Sequence, residues 1–285
     1  MKQIVTISGK GGTGKTTVAA SFAALAKQPV LGDCDVDAAN LYLLLHPQDA
    51  VSEDFAGARV AMRDQSLCTR CGECERRCRF EAITVETVSE SRCEGCGLCV
   101  LACPAHALQL KNVVNGLLIS GTTAYGPMVY ARLHPGGENS GRLVTRVRQE
   151  AENLALREQR PLILLDGPPG IGCTVTASLV DTDLAVVVTE PTLSAIHDLE
   201  RVVQLAGQLR IAVGVIINKA DINPDNTAMI RRYCERCALP VLAHLPFDDN
   251  VVQANARQQP VVTMDDGPVA QGIRRAWNTA QALLI

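Results

Sequence analysis

Short apolar runs alternate with longer amphipathic stretches along most of this chain. Residues 3–8 form a nearly unbroken apolar run, read as a buried strand, and residues 18–26, rich in small side chains, as the helix that follows. A second short strand is expected over residues 30–33, and a helix beginning at Asn40. A turn and strand are expected over residues 115–120, and the spacing of Leu143, Val147 and Leu154 predicts a helix over 142–157. Residues 161–166 are apolar up to a closing Asp166, as in a central parallel strand. Strands over 184–188, 211–217 and 241–245 then alternate with helices over 194–209 and 224–237. Residues 265–284 read as a last helix packed on the sheet. Such alternation predicts an α/β fold, a mostly parallel sheet flanked by helices. Residues 121–141 hold five glycines and two prolines and read as loop, with one short strand at Val129 and Tyr130.

The first strand and helix are joined by Gly9-Lys10-Gly11-Gly12-Thr13-Gly14-Lys15-Thr16-Thr17. Strand, glycine loop, helix is the setting of a phosphate-binding loop: backbone N–H groups converge on an anion and the helix start adds positive charge. Gly9, Gly11 and Gly14 fit G-x-G-x-x-G, with Asp33 and Asp35 following as in a dinucleotide fold. Gly9, Gly14, Lys15 and Thr16 also fit the more demanding G-x-x-x-x-G-K-[ST], which puts an ammonium near β- and γ-phosphates and a hydroxyl near Mg2+.

Carboxylates cluster at the same predicted sheet edge. Asp33, Asp35 and Asp37 follow the second strand, and Asp166 ends the central one, where it is suited to hold Mg2+ through water. Asp37 reads as part of a capping loop, Asp35 as functional. Gly167 to Gly172 encloses two prolines and can change shape around a γ-phosphate.

Composition narrows the class. Aromatics are only 3%, so the core must be aliphatic, and a net charge of -3 argues against a general nucleic-acid binder. No apolar run approaches a membrane span, and the chain enters its first strand at once, without a secretory signal. A cytoplasmic protein is expected, with neither nucleic acid nor membrane as partner. An amphipathic anchor at residues 265–284 is the less favoured alternative, since its only basic residues are Arg274 and Arg275.

The cysteines break the strand–helix rhythm. Eight of the twelve fall between Cys68 and Cys103. Cys68, Cys71, Cys74 and Cys78 are spaced C-x2-C-x2-C-x3-C, and Cys93, Cys96, Cys99 and Cys103 repeat that spacing 25 residues on. Ala82-Ile83 aligns with Ala107-Leu108, so each half reads as a cysteine loop and a short apolar strand. Three close thiolates wrap one [4Fe–4S] cube and the fourth reaches the other. One cluster is therefore expected on Cys68, Cys71, Cys74 and Cys103, a second on Cys93, Cys96, Cys99 and Cys78. Zinc, which favours two separated C-x2-C pairs, is the weaker reading. A lone C-x2-C, Cys234 and Cys237, lies on a predicted helix.

Residues 63–111 resemble a bacterial two-cluster ferredoxin, a small α+β domain, although Arg79 stands after Cys78 where that pattern has proline. The remainder, residues 1–62 and 112–285, resembles the MinD/ParA/nitrogenase-iron-protein class of P-loop ATPases, on the second lysine Lys10, on Asp33-x-Asp35 with Asn40, and on Asp166-Gly-Pro-Pro-Gly170. The combination is similar to MinD-superfamily ATPases with an inserted ferredoxin domain. That resemblance implies ATP and Mg2+ bound by Gly9, Gly11, Gly12, Thr13, Gly14, Lys15, Thr16 and Thr17, with Lys15 on the phosphates and Thr16 on Mg2+. It implies Asp35 orienting the attacking water, Asp166 in the second shell of Mg2+, and Asn218 and the region of Pro246 against adenine. Lys10 would reach the partner's phosphates in a nucleotide-sandwich homodimer. Asn218-Lys219-Ala220-Asp221 also matches the N-K-x-D guanine motif, so GTP stays open. Cys173 stands where the nitrogenase iron protein has a cluster ligand, or is a small packed residue.

The leading expectation is a Mg-dependent ATPase whose switch is coupled to electron transfer through two clusters to a redox partner. An iron–sulfur or metallocofactor assembly factor, using Cys234 and Cys237, is the alternative. A spatial organiser and a dinucleotide oxidoreductase rank lower.

Overall fold

The computed structural model describes residues 1–137, 140–264 and 266–284. Its strands are β1 (Lys2–Ser8), β2 (Pro29–Asp33), β3 (Gln48–Phe55), β4 (Ala58–Arg63), β5 (Leu108–Val113), β6 (Gly116–Thr123), β7 (Gly126–Leu133), β8 (Leu162–Pro169), β9 (Leu184–Thr189), β10 (Ala212–Ile217) and β11 (Val241–His244). The helices are α1 (Lys15–Leu25), α2 (Leu41–Leu45), α3 (Glu73–Arg77), α4 (Leu98–Ala102), α5 (Ser140–Arg157), α6 (Cys173–Leu179), α7 (Leu193–Gln208), α8 (Pro224–Arg236), α9 (Asp249–Ala256), α10 (Val261–Met264) and α11 (Pro268–Ala282).

The chain divides into two compact units: Met1–Ser52 with Leu118–Arg132 and Gly141–Ile285, and Glu53–Leu117 with Leu133–Ser140. In the larger sheet the strand order is β11-β10-β9-β1-β8-β2-β7-β6-β3, and every pairing from β11 to β7 is parallel. β1 and β9 are buried on both faces, which is why they read as unbroken apolar runs. Parallel strands end at one edge, so the loops after β1, β2 and β8 meet there.

Two stretches differ from expectation. The strand expected over 115–120 is β6, and residues 121–137 hold its end and all of β7, joined by only Ala124 and Tyr125, so the two strands form a hairpin. The short strand expected at Val129 and Tyr130 is the middle of β7, which pairs with β2, and Met128, Val129 and Ala131 are fully buried. Gly126 marks the turn: its φ is 150°, and a Cβ there would lie 2.2 Å from the Pro29 carbonyl oxygen. β3 was not expected either, because all of it except Phe55 is exposed and it carries no apolar alternation. Residues 138–139, within the expected loop, and Asp265, the expected start of the last helix, lie outside the described residues.

α11 buries Val269, Ile273, Ala276, Trp277 and Ala280, with the Trp277 ring 5.1 Å from that of Phe22 on α1. Its apolar stripe is thus packed within the unit. No described helix is long and apolar enough to cross a membrane.

In the smaller unit β4 and β5 pair antiparallel from Ala58↔Val113 to Arg63↔Leu108. The cysteine repeat is structural as well as sequential. Gly72 and Gly97 cap α3 and α4 with φ of 77° and 78°, and α4 begins 25 residues after α3. Glycine removes the steric cost of that left-handed cap. The expected segment 63–111 lies inside this unit.

Candidate functional site

Lys15 is the centre of the larger unit's chemistry. It is the first residue of α1, after Gly14 at φ 93°, and it is 7% exposed. Its Nζ lies 2.8 Å from Asp166 Oδ1 and 3.7 Å from Asp35 Oδ2. Asp33 and Asp166 are register partners on β2 and β8, both fully buried. Three carboxylates therefore crowd one ammonium. Burial pulls the Lys15 ammonium down, but Asp166, Asp33 and Asp35 outweigh it and hold its pKa above the ordinary value. Burial, and then the Asp166 charge, push Asp33 up to about 7. Burial likewise raises Asp35, against the pull of Lys15.

Among the described residues, Asp166 Oδ2 and Thr13 Oγ1 are buried with no hydrogen-bond partner. An orphaned carboxylate oxygen beside surplus negative charge fits a divalent cation held through water. Thr16 lines the adjoining cleft with Gly12, Lys15, Asp35, Asn255 and Gln258, a space of about 420 Å3. The donor set fits Mg2+ with a phosphate chain. Gly9, Gly11, Thr13 and Thr17 complete the loop around it.

Asp33 has a structural duty that the sequence did not show. Its carboxylate accepts N–H bonds from Asp35, Asn40 and Leu41 at 3.0 Å each, which fixes the loop carrying Asp35. Asp37, expected in a loop that caps the helix at Asn40, is exposed, and the N–H groups of Asn40 and Leu41 at that helix start go to Asp33. A raised carboxyl pKa binds more protons in the folded state than in the unfolded. Asp33 therefore contributes stability below its ordinary value of 3.8 that is lost as pH rises to about 7. Urea unfolding of the nucleotide-free protein should give a lower midpoint at pH 7.5 than at pH 5.5, and Asp33→Asn should flatten that difference.

The residues expected near the base are engaged with backbone. Asn218 Nδ2 donates to the Thr13 carbonyl at 2.8 Å, and its Oδ1 accepts from Lys219 N. Asp221 Oδ1 accepts from Phe247 N at 2.7 Å, next to Pro246. The N-K-x-D stretch thus ties the glycine loop to the end of β11. Lys10 is exposed and lies 3.5 Å from Glu190, which also pairs with Lys219 at 3.0 Å. Glu190, Asn255 and Gln258 belong to no short motif, so nothing in the sequence marked them.

In the smaller unit the eight repeat cysteines sort by space. One cavity is lined by Cys78, Cys93, Cys96 and Cys99, and a tighter one by Cys68, Cys71, Cys74 and Cys103. Ala82 N donates to Cys78 Sγ at 3.4 Å, and Ala107 N to Cys103 Sγ at 3.3 Å, the same contact in each half. Among the described residues no three Cys, His, Asp or Glu side chains gather as ligands of one metal ion. Zinc would need four sulfurs about 2.3 Å from a single point, whereas a cube takes each thiolate on its own iron. Four thiolates line each cavity, the donor number that one cube takes.

The outlying cysteines differ in burial. Cys234 is fully buried and its thiol is pushed up to about 11 by burial, while Cys237 is exposed. Cys34 is buried and Cys173, at the start of α6, is exposed.

The CbiA family, the CobQ/CobB/MinD/ParA nucleotide binding domain, matches residues 4–261. An uncharacterised protein of Methanocaldococcus jannaschii is 31% identical over 227 residues, 79% of this chain and 80% of the relative. A putative septum site-determining protein MinD of Mesostigma viride is 29% identical over 273 residues, 92% of this chain and 76% of that one. The cell division ATPase MinD of Pyrococcus furiosus has a similar fold, with a TM-score of 0.61 and 19% identity over 99% of this chain and 100% of that chain. The glycine loop, the buried Lys15 and the parallel sheet agree with the family match: the chain belongs to the CobQ/CobB/MinD/ParA nucleotide-binding family.

Proposed function

We propose that this protein is a Mg-dependent ATPase whose nucleotide switch is coupled to electron transfer through two [4Fe–4S] clusters to a protein partner. The nucleotide half rests on one observation above others: Lys15 is buried between Asp35 and Asp166, and an Asp166 oxygen is left without a partner. The septum site-determining protein MinD of Pyrococcus horikoshii, which shares this fold, was solved with Mg-ADP.

Lys15 would bind the β- and γ-phosphates, leaving its carboxylate partners to other charges. The Thr16 hydroxyl and Asp166 would hold Mg2+, which spreads the charge of the transferring phosphoryl group. Asp35 would orient the attacking water, and its raised pKa suits a proton acceptor. Asn218 would hold the loop in register by its bond to Thr13, and Pro246 would border the adenine. Lys10 would serve the partner subunit of a homodimer, once released from Glu190.

The cluster half is supported by the four-and-four division of cysteines between two cavities. Cys68, Cys71, Cys74 and Cys103 would hold one cluster, Cys93, Cys96, Cys99 and Cys78 the other; each supplies a one-electron centre. Residues 63–111 would then be a ferredoxin-like insertion. An assembly role built on Cys234 and Cys237 has less support, because one thiol is in the core and the other in solvent.

Oxygen-free purification followed by iron, sulfide and zinc analysis tests the cluster half. About eight iron and eight sulfide per chain are expected. Zinc in place of sulfide would refute it. Mg·ATP hydrolysis by the same sample, faster with a dimer-promoting rise in concentration, tests the other half; no triphosphate binding would refute that.

A further inference from the structure

The internal repeat is nearly symmetrical, so its departures from symmetry carry information. Among the described residues, each group of four cysteines receives two hydrogen bonds from the chain. One bond is the same in both halves, from Ala82 N to Cys78 Sγ and from Ala107 N to Cys103 Sγ. The second differs. On β4, Ala61 N donates to Cys93 Sγ at 3.3 Å, a neutral amide. Two residues along the same strand, Arg63 Nη2 lies 3.6 Å from Cys74 Sγ, a guanidinium. Residue 88, the repeat counterpart of Arg63, is Val88.

Arg63 is held firmly in that position. Its guanidinium donates to the Val85 carbonyl at 2.8 Å and to the Thr84 carbonyl, and its Nε is buried without a partner among the described residues. Other cations near the cysteines are exposed. Arg77 and Arg79 line the cavity of Cys93, but Arg77 pairs with Glu73, and both side chains face water that screens them.

We infer that Arg63 tunes the cluster on Cys68, Cys71, Cys74 and Cys103, making it the more easily reduced of the two. This rests on the proposed cluster occupancy. One-electron reduction adds a negative charge to a cluster, and a charge-assisted hydrogen bond to a ligand sulfur stabilises that charge more than a neutral amide does. Electrons entering the chain therefore come to rest at the Cys74 side. Arg63 is a positioning residue here: it acts through Cys74 and touches no substrate.

The test is a dithionite redox titration of the intact protein, followed by electron paramagnetic resonance. Wild type should show two separate midpoints. Arg63→Gln should lower only the higher one, by at least a tenfold change in the reduced-to-oxidised ratio, about 59 mV for one electron. Arg63→Lys, which keeps the charge, should restore most of the shift. Iron and sulfide are measured on every sample, so failure of the proposed function, a wild-type chain without clusters, which overturns this inference too, is told apart from failure of the Arg63 role alone. Coincident wild-type midpoints, or a Gln variant that leaves both unmoved, overturn the inference. So does loss of iron from both variants, which would make Arg63 structural only.

Discussion

Lys15→Ala should abolish ATP hydrolysis and weaken the folded protein at the same time. Removing a charged donor from a transferring phosphoryl group costs about 10²–10³-fold in rate. Removing one member of a buried ion pair leaves uncompensated charge, at about 3–5 kcal/mol. Both effects follow from the same contacts, 2.8 Å to Asp166 and 3.7 Å to Asp35. The stability loss should be larger at pH 8 than at pH 5, because Asp33, which burial pushes up to about 7, is ionised only at the higher pH. Urea unfolding and steady-state hydrolysis on one preparation check the two halves. A variant of unchanged stability would mean that the carboxylates do not depend on Lys15 for compensation.

The second large effect concerns which cysteine belongs to which cluster. Cys103→Ala should empty the site of Cys68, Cys71 and Cys74, although Cys103 follows the other three in sequence. Cys78→Ala should instead empty the site of Cys93, Cys96 and Cys99. Each variant should fall from about eight iron to about four. Assigning the loss needs the double variants: Cys103→Ala with Cys68→Ala should lose no more than either alone, whereas Cys103→Ala with Cys93→Ala should lose all. This crossed pattern is expected from the division of the eight side chains between two cavities. If Cys103→Ala and Cys99→Ala behave as one site, the clusters are built from consecutive cysteines and the crossing is wrong.

What could be read from sequence divides along physical lines. The parallel strands were legible because burial on both faces leaves unbroken apolar runs, as in residues 184–188. Lys15 and Asp166 were legible because a glycine loop and an apolar strand ending in Asp each have few other uses. Asp33 was seen but its duty was not: three backbone N–H groups from Asp35, Asn40 and Leu41 reach it only once the loop is folded. Glu190 was invisible, since it acts by standing between Lys10 and Lys219, which are far apart in sequence. β3 and the full length of β7, with the turn before it, were hidden for opposite reasons. One is polar and exposed, and the other has its turn glycine and Pro127 inside what becomes a strand. The repeat of cysteine spacing was plain, whereas Arg63 meets Cys74 only in the folded chain, and nothing in the repeat anticipates a guanidinium there.

The most direct measurement is a redox titration of fully loaded protein with Mg·ADP and with a slowly hydrolysed Mg·ATP analogue. A nucleotide switch joined to a two-cluster carrier must move at least one midpoint between the two nucleotides, since each ligand shifts the other's equilibrium reciprocally. Superimposable curves, in material that retains its iron and hydrolyses ATP, would contradict the coupling and leave two independent activities on one chain.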